Sequence, residues 1–213
     1  MMLSMVDFPT DNHGWSELLP PRLAVDSIQG AHRVPWVIVG AGLTGLACAR
    51  RLAELYPNDE VLLLDARLIG QGASGRNSGF AVGVSHFPGP YEIQDKENID
   101  RVNRINQAGL ALLDQQITSQ SIHCQWDNSG FHHGAADTLS INEHSHFVNY
   151  LDAIGAEHNN LNQDDMKGRF GTSLYKAGVH VKTGALVQPA ALVRGLANNI
   201  PSNVRLIENC PVL

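Results

Sequence analysis

Cysteine is scarce in this chain: Cys48, Cys124 and Cys210 are the three among 213 residues. Cysteines so few and so far apart exclude a disulfide framework, a zinc ribbon and a C-x-x-C redox pair. They point to a reducing compartment, so the expected location is cytoplasmic. Basic residues are also few, 15 Lys and Arg against 21 Asp and Glu, which leaves a net charge of -6. A nucleic-acid binder would carry a basic face, so no nucleic-acid partner is expected. No Lys or Arg precedes Arg22, and no long apolar run opens the chain. That reads as a poor secretory signal. The most apolar stretch, 34–49, is broken by Gly40, Gly42 and Gly45. It falls short of the ~20 apolar residues of a membrane span, so no membrane span is expected. What is left, 43% hydrophobic and 17% charged residues without a repeat, is the composition of a globular chain.

Residues 1–33 are rich in turn formers (Pro9, Gly14, Pro20, Pro21, Gly30) and show no periodicity, so they are expected to form a surface arm. From Val34 to Val39 a short apolar run predicts a strand buried on both faces of a parallel sheet. Leu43 to Leu55 predicts a helix with Leu46, Ala49, Leu52 and Ala53 on its inner face, stopped by Pro57. Glu60 to Asp65 predicts a second buried strand, completing a βαβ unit. A glycine-rich loop follows, from Gly70 to Gly89. A long helical pattern then places Ile99, Val102, Ile105, Leu110, Leu113 and Ile117 inward. Farther on, 124–126 and 130–132 predict two strands joined by a turn at 127–129. Ser140 and Glu143 have the spacing of a capping box that opens a helix ending at Gly155. Val179 to Lys182 predicts a half-exposed strand turning at Thr183-Gly184. Pro189 opens a further helix, burying Leu192, Val193, Leu196 and Ala197, and Val204 to Glu208 predicts a last strand.

The chemistry sits in Gly40-Ala41-Gly42-Leu43-Thr44-Gly45, a G-x-G-x-x-G between a predicted strand and a predicted helix. Gly40 permits the tight turn, Gly42 lets a pyrophosphate approach the backbone, and Gly45 lets helix and strand pack closely. The helix N-terminus offers free N–H groups and the positive end of its dipole to the phosphates. Asp65 ends the second strand, where its carboxylate can accept from both ribose hydroxyls. It would repel a 2′-phosphate, so FAD or NAD fits and NADP does not. A second loop, Gly70-Gln71-Gly72-Ala73-Ser74-Gly75-Arg76-Asn77-Ser78-Gly79, brings backbone that can approach a ligand closely. Arg76 offers a fork for phosphate, and Asn77 and Ser78 offer hydrogen bonds to a polar chain such as ribityl.

These segments resemble the FAD-dependent amine and amino-acid oxidoreductases, the family of glycine oxidase, sarcosine oxidase, D-amino-acid oxidase and γ-glutamylputrescine oxidase. The resemblance is carried by residues 37–47, by Asp65-Ala66-Arg67 and by residues 72–79, with 186–192 and 208–212 also similar in kind. The Gly72-Ala73-Ser74-Gly75-Arg76-Asn77 stretch is most similar to the γ-glutamylputrescine oxidase branch. Many relatives carry glutamate where this chain has Asp65.

The resemblance implies an α/β fold, a Rossmann-like FAD-binding domain with an interleaved, incomplete α+β substrate region. It implies FAD as cofactor, held by Gly40, Gly42, Leu43, Thr44, Gly45, Asp65, Ala66, Arg67, Gly72, Ala73, Ser74, Arg76, Asn77 and Ser78. The backbone of Val212 would meet the adenine. The implied division is an arm at 1–33, an FAD-binding βαβ unit with glycine-rich loop at 34–90, a helical substrate-side region at 91–186, and a return to the FAD domain at 187–213. In the family a C–H beside an amine passes as hydride to the flavin, giving an imine that water hydrolyses. The partner implied is therefore a small amine or amino-acid substrate. Family members are considerably longer, so a truncated chain, or one that needs a partner chain or a C-terminal half, is expected, and no catalytic residue is assigned. From the residues alone, a non-catalytic dinucleotide-binding chain and an NAD-dependent dehydrogenase remain as alternatives.

Other features point to structure. His132, His133, His144 and His146 lie near one another in sequence, but i and i+2 on a helix face different ways, so no metal site is expected. Cys48 is expected to fill the core, Tyr175 to be an ordinary exposed or packed tyrosine, and Arg50-Arg51 a solvated helix face.

Overall fold

The structure, a computed structural model, describes residues 13–85 and 96–212. The signal reading of the first residues, the turn former Pro9, the end of the glycine-rich loop at Gly89 and the last residue, Leu213, lie outside the described residues. In chain order the elements are α1 (Gly14–Glu17), β1 (Trp36–Val39), α2 (Leu43–Leu55), β2 (Val61–Leu64), α3 (Ala73–Arg76) and β3 (Phe80–Val82). Next come α4 (Lys96–Ser119), β4 (Phe131–Ala135), α5 (Thr138–Ile154), β5 (His158–Asn162) and α6 (Gln163–Phe170). The last are β6 (Ala177–Val181), β7 (Gly184–Leu186), α7 (Pro189–Asn198) and β8 (Val204–Ile207). The chain divides into two compact units, one of Met1–Ser78, Gln120–Cys124 and Gln188–Leu213, the other of Gly79–Ser119 and Gln125–Val187.

The first unit is built on a parallel sheet in the order β1-β2-β8, with Trp36 opposite Val61 and Leu64 opposite Ile207. The apolar runs form strands because central β2 can bury both of its faces: Val61, Leu62 and Leu63 are all buried. The expectation that β1 is likewise buried on both faces is corrected. Val37 is 55% and Val39 63% exposed. The reason is cover: α2 packs on the face of β1 that carries Ile38, and the face that carries Val37 and Val39 is left open among the described residues. Helix α2 follows its sequence pattern, burying Leu46, Ala49 and Ala53 and capping at Tyr56 before Pro57. Its Cys48 is exposed and does not fill the core, because it falls one step round the helix from Ala49. Helix α7 opens on Gln188, whose side chain accepts the Ala191 N–H at 2.7 Å with Pro189 at the first turn. It buries Leu192, Val193, Leu196 and Ala197, each of the larger side chains contributing about 2 kcal/mol of apolar transfer.

The second unit holds an antiparallel sheet in the order β4-β6-β5 and a two-stranded ribbon of β3 and β7. Phe147, Tyr150 and Leu151 of α5 pack with Val179 and Val181 of β6, and Ile99 of α4 joins them. Three expectations are corrected here. The inward face of α4 carries Ile99, Asn103 and Ile117, whereas Ile105 is 64% exposed. Asn103 is tolerated because its amide donates to the Tyr150 hydroxyl at 2.8 Å and accepts the Ser85 N–H at 3.0 Å. The stretch 124–126 forms no strand of a hairpin; instead Asp127 bridges Leu186. The capping box of α5 lies one turn earlier than its sequence suggested, with Asp137 as N-cap and Ser140 at N3, exchanging bonds at 2.8 and 3.0 Å. Gly155 ends that helix in the left-handed conformation, as its place in the sequence predicted.

Candidate dinucleotide site

The carboxyl end of β1 turns sharply at Gly40, where φ is +94° and the N–H donates to the Leu64 carbonyl at 2.7 Å. Helix α2 then starts at Leu43 with Gly42 as its N-cap. A Cβ on Gly45 would overlap the Gly40 carbonyl, so only glycine lets α2 come this near the strand end. The second loop repeats the device. Gly70-Gln71-Gly72-Ala73-Ser74-Gly75 has the same G-x-G-x-x-G spacing, Gly70 has φ of +91°, Gly72 is the N-cap of α3, and a Cβ on Gly75 would overlap the Gly70 carbonyl. Both caps share one backbone conformation, ψ of -175° at Gly42 and at Gly72.

The two loops meet at Ser74. Its hydroxyl oxygen accepts the Leu43 N–H at 3.1 Å and stands 2.7 Å from where a Cβ on Gly42 would be. Gly42 thus admits the Ser74 side chain, whereas the sequence suggested only a phosphate there. Asp65 follows β2 and turns its carboxylate onto the backbone: Oδ2 accepts the Ala41 N–H at 2.7 Å and Oδ1 the Arg67 N–H at 2.9 Å. Each oxygen keeps a second lone pair for a hydroxyl. Ala66 and Arg67 are half-buried in the turn beyond, with the Arg67 guanidinium 3.8 Å from the Cβ position of Gly72. Cys210 donates its N–H to the Asp65 carbonyl at 2.8 Å, which brings the segment of Val212, itself 54% exposed, past the end of β2.

Other residues singled out in the sequence point back into their own loop. Arg76 Nε donates to the Gln71 carbonyl at 2.8 Å, and the Asn77 amide donates to the Ser74 carbonyl at 2.8 Å. Thr44, Ala73 and Ser78 are exposed. Three residues that sequence reasoning did not select also shape the site. Buried Glu208 accepts the Ile69 N–H at 2.7 Å, His13 Nε2 bonds the Gly70 carbonyl at 2.9 Å, and Trp15 Nε1 donates to the Asn77 carbonyl at 2.9 Å. The repeated glycine spacing is the signal for Gly70 and Gly75, and Glu208 opens the 208–212 segment that carries part of the resemblance, but no local pattern assigns a role to Glu208, His13 or Trp15.

The arrangement fits a dinucleotide. The Cβ side of Gly40 has nothing within 4 Å, the positive end of α2 faces the same loop, and the Arg67 cation lies beside Gly72. A family model described as FAD dependent oxidoreductase matches residues 35–213. The chain belongs to that family. A protein called "Probable oxidoreductase OrdL" from Haemophilus influenzae is 28% identical over 189 residues, covering 83% of this chain and 41% of that protein. Among solved structures, glycine oxidase from Bacillus cereus superposes with a TM-score of 0.67 at 16% identity, covering 83% of this chain and 46% of the oxidase. L-Amino acid deaminase from Proteus myxofaciens gives a TM-score of 0.67 at 16% identity, covering 89% and 42%. The two solved structures share the α/β, Rossmann-like fold of this chain, which spans less than half the length of each of the three relatives.

No group of three or more His, Cys, Asp or Glu that could hold a metal occurs among the described residues. The histidines are placed by packing. His132 and His180 sit opposite each other on β4 and β6 with rings stacked at 4.3 Å, and His133 stacks on His144 at 6.1 Å. Burial pushes His144 below its ordinary pKa; burial, then His180 and Arg169, do the same to His132.

Proposed function

We propose that this chain forms the adenine-dinucleotide half of a flavoenzyme that oxidises the CH–NH bond of a small amine or amino acid. The observation that supports it most is the pairing of two glycine turns of equal geometry, joined through Ser74 and flanked by Asp65. Gly40, Gly42, Leu43, Thr44 and Gly45 would receive the pyrophosphate, with Gly72, Ala73, Ser74, Arg76, Asn77 and Ser78 alongside. Asp65, with Ala66 and Arg67, would hold the adenosine ribose, and Val212 would meet the adenine. FAD, when bound, supplies a two-electron acceptor for hydride. The similarity to a glycine oxidase and an L-amino acid deaminase supports the substrate class.

Catalysis, in this reading, also needs polypeptide outside residues 1–213, from the same chain or a partner chain. The exposed side chains of Val37 and Val39 on terminal strand β1 favour such a completion, as does the 41–46% share of its relatives that the chain covers. A cytoplasmic setting fits the three free cysteines.

The test is the absorbance spectrum of the purified chain, with any heat-released cofactor identified by mass. Near-stoichiometric FAD is the expected result. Asp65→Ala should lose most of that FAD, and full retention by the variant would remove Asp65 from the site. A chain that stays colourless and takes up NAD but not FAD would overturn the flavoenzyme reading.

A further inference from the structure

The segment before Val34 lies outside the residues that the family model matches, yet it makes directed bonds to the second glycine loop. His13 Nε2 reaches the Gly70 carbonyl at 2.9 Å, and Trp15 Nε1 donates to the Asn77 carbonyl at 2.9 Å. One residue of the arm therefore grips the loop where it begins and another where it ends. The arm itself is anchored on α7 and its N-cap. The buried Gln188 amide donates to the Trp15 carbonyl at 2.8 Å while its oxygen caps α7, and Arg194 donates to the Pro20 carbonyl at 2.9 Å. Arg22 closes the circuit by a two-pronged bond to Glu208, whose Oε1 also takes the Ile69 N–H just before the loop.

Apolar burial accounts for this docking only in part, through half-buried Trp15, Leu19 and Ile28. Leu18, Leu23 and Val25 are 74%, 84% and 68% exposed. Nor could α1 persist alone, since four residues are far below the length at which an isolated helix is stable. The directed bonds of the arm are polar, and those of His13 and Trp15 are aimed at the loop ends, the geometry of a brace.

We propose that the arm is a strap that sets the shape of the Gly70–Asn77 loop for the dinucleotide, with His13 and Trp15 as positioning residues. The inference rests on the reading of that loop as part of the FAD site. A loop free to sample other shapes must be ordered by the ligand, and that cost appears as weaker binding. The test compares Trp15→Phe, which keeps an aromatic six-membered ring and removes the N–H, with His13→Ala and His13→Gln, the last of which keeps a side-chain N–H donor. Amide hydrogen exchange is followed across residues 70–78 without cofactor, and FAD dissociation constants are measured separately. Trp15→Phe and His13→Ala should each speed loop exchange and weaken FAD binding by about tenfold, while His13→Gln stays near wild type.

Unchanged exchange in both disrupting variants would overturn the strap. Faster exchange with unchanged FAD affinity would overturn its role in binding. A wild-type chain that takes no FAD would instead overturn the flavoenzyme reading, and the exchange data would still decide whether the arm holds the loop.

Discussion

The Ser74 hydroxyl and the Leu43 amide are joined at 3.1 Å, a bond that ties the second glycine turn to the first residue of α2. It exists because Gly42 has no side chain: a Cβ there would meet Ser74 Oγ at 2.7 Å but Ser74 Cβ only at 3.6 Å, an ordinary contact. Gly42→Ala should therefore act chiefly by evicting one hydroxyl, at a cost of about 1 kcal/mol, the worth of the lost bond. In Ser74→Ala that bond is already gone, so adding Gly42→Ala should cost little more. A double-mutant cycle in urea should show the two changes coupled by most of that value, and strict additivity would refute the account.

Gly45→Ala is a different case. Its Cβ would meet backbone, the Gly40 carbonyl, which cannot rotate aside. A loss of about 3 kcal/mol in unfolding free energy is expected, with the helix forced off the strand. Gly109→Ala in α4, where nothing lies within 4 Å, is the control and should stabilise slightly.

Arg22 and Glu208 make a third measurable pair, with Nε to Oε1 at 2.7 Å and side chains only 9% and 0% exposed. Truncating the cation strands a buried carboxylate, so Arg22→Met should destabilise the chain by about 3 kcal/mol. Glu208→Gln in that background should restore part of the loss by removing the charge, its one amide oxygen keeping the Ile69 N–H at 2.7 Å while the longer bond from the Val25 N–H, 3.3 Å, is given up. Equal melting temperatures for wild type and Arg22→Met would show that the pair contributes nothing net.

How far the sequence was legible follows from what each pattern encodes. Helix α2 and strand β2 were readable because their apolar spacing reports burial directly, and Pro57 and Gly155 mark ends by backbone sterics alone. Strand β1 looked as apolar as β2, but a run of apolar residues cannot say whether both faces of its strand are covered. Strand β5, His-Asn-Asn-Leu-Asn, and helix α6, with Met166 as its one buried side chain, carried too little apolar periodicity to be seen. In the site, the glycines were legible because their role is steric. The bonds of His13 and Trp15 to the loop span 57 and 62 residues, and no local pattern announces a contact at that distance.

Acid should loosen the second unit before strong acid denatures the chain. His144 is buried on α5 and held below its ordinary pKa of 6.5 by that burial; its Nδ1 finds no partner among the described residues. His132 is lowered by burial first, then by His180 and by Arg169, whose guanidinium lies 3.0 Å from His132 Nε2. A group with a lowered folded pKa binds its proton more readily in the unfolded chain. Stability from these two histidines is therefore present above about pH 6.5 and is lost as pH falls below it toward their folded pKa values. Urea unfolding followed from pH 7.5 down to 5 should show falling stability. His144→Leu should flatten that fall, because a side chain that cannot take a proton has no preference for the unfolded state. His146→Leu, two residues away on an exposed face of the same helix, is the control. Equal slopes for His144→Leu and wild type would mean that His144 is not one of the groups that senses the acid.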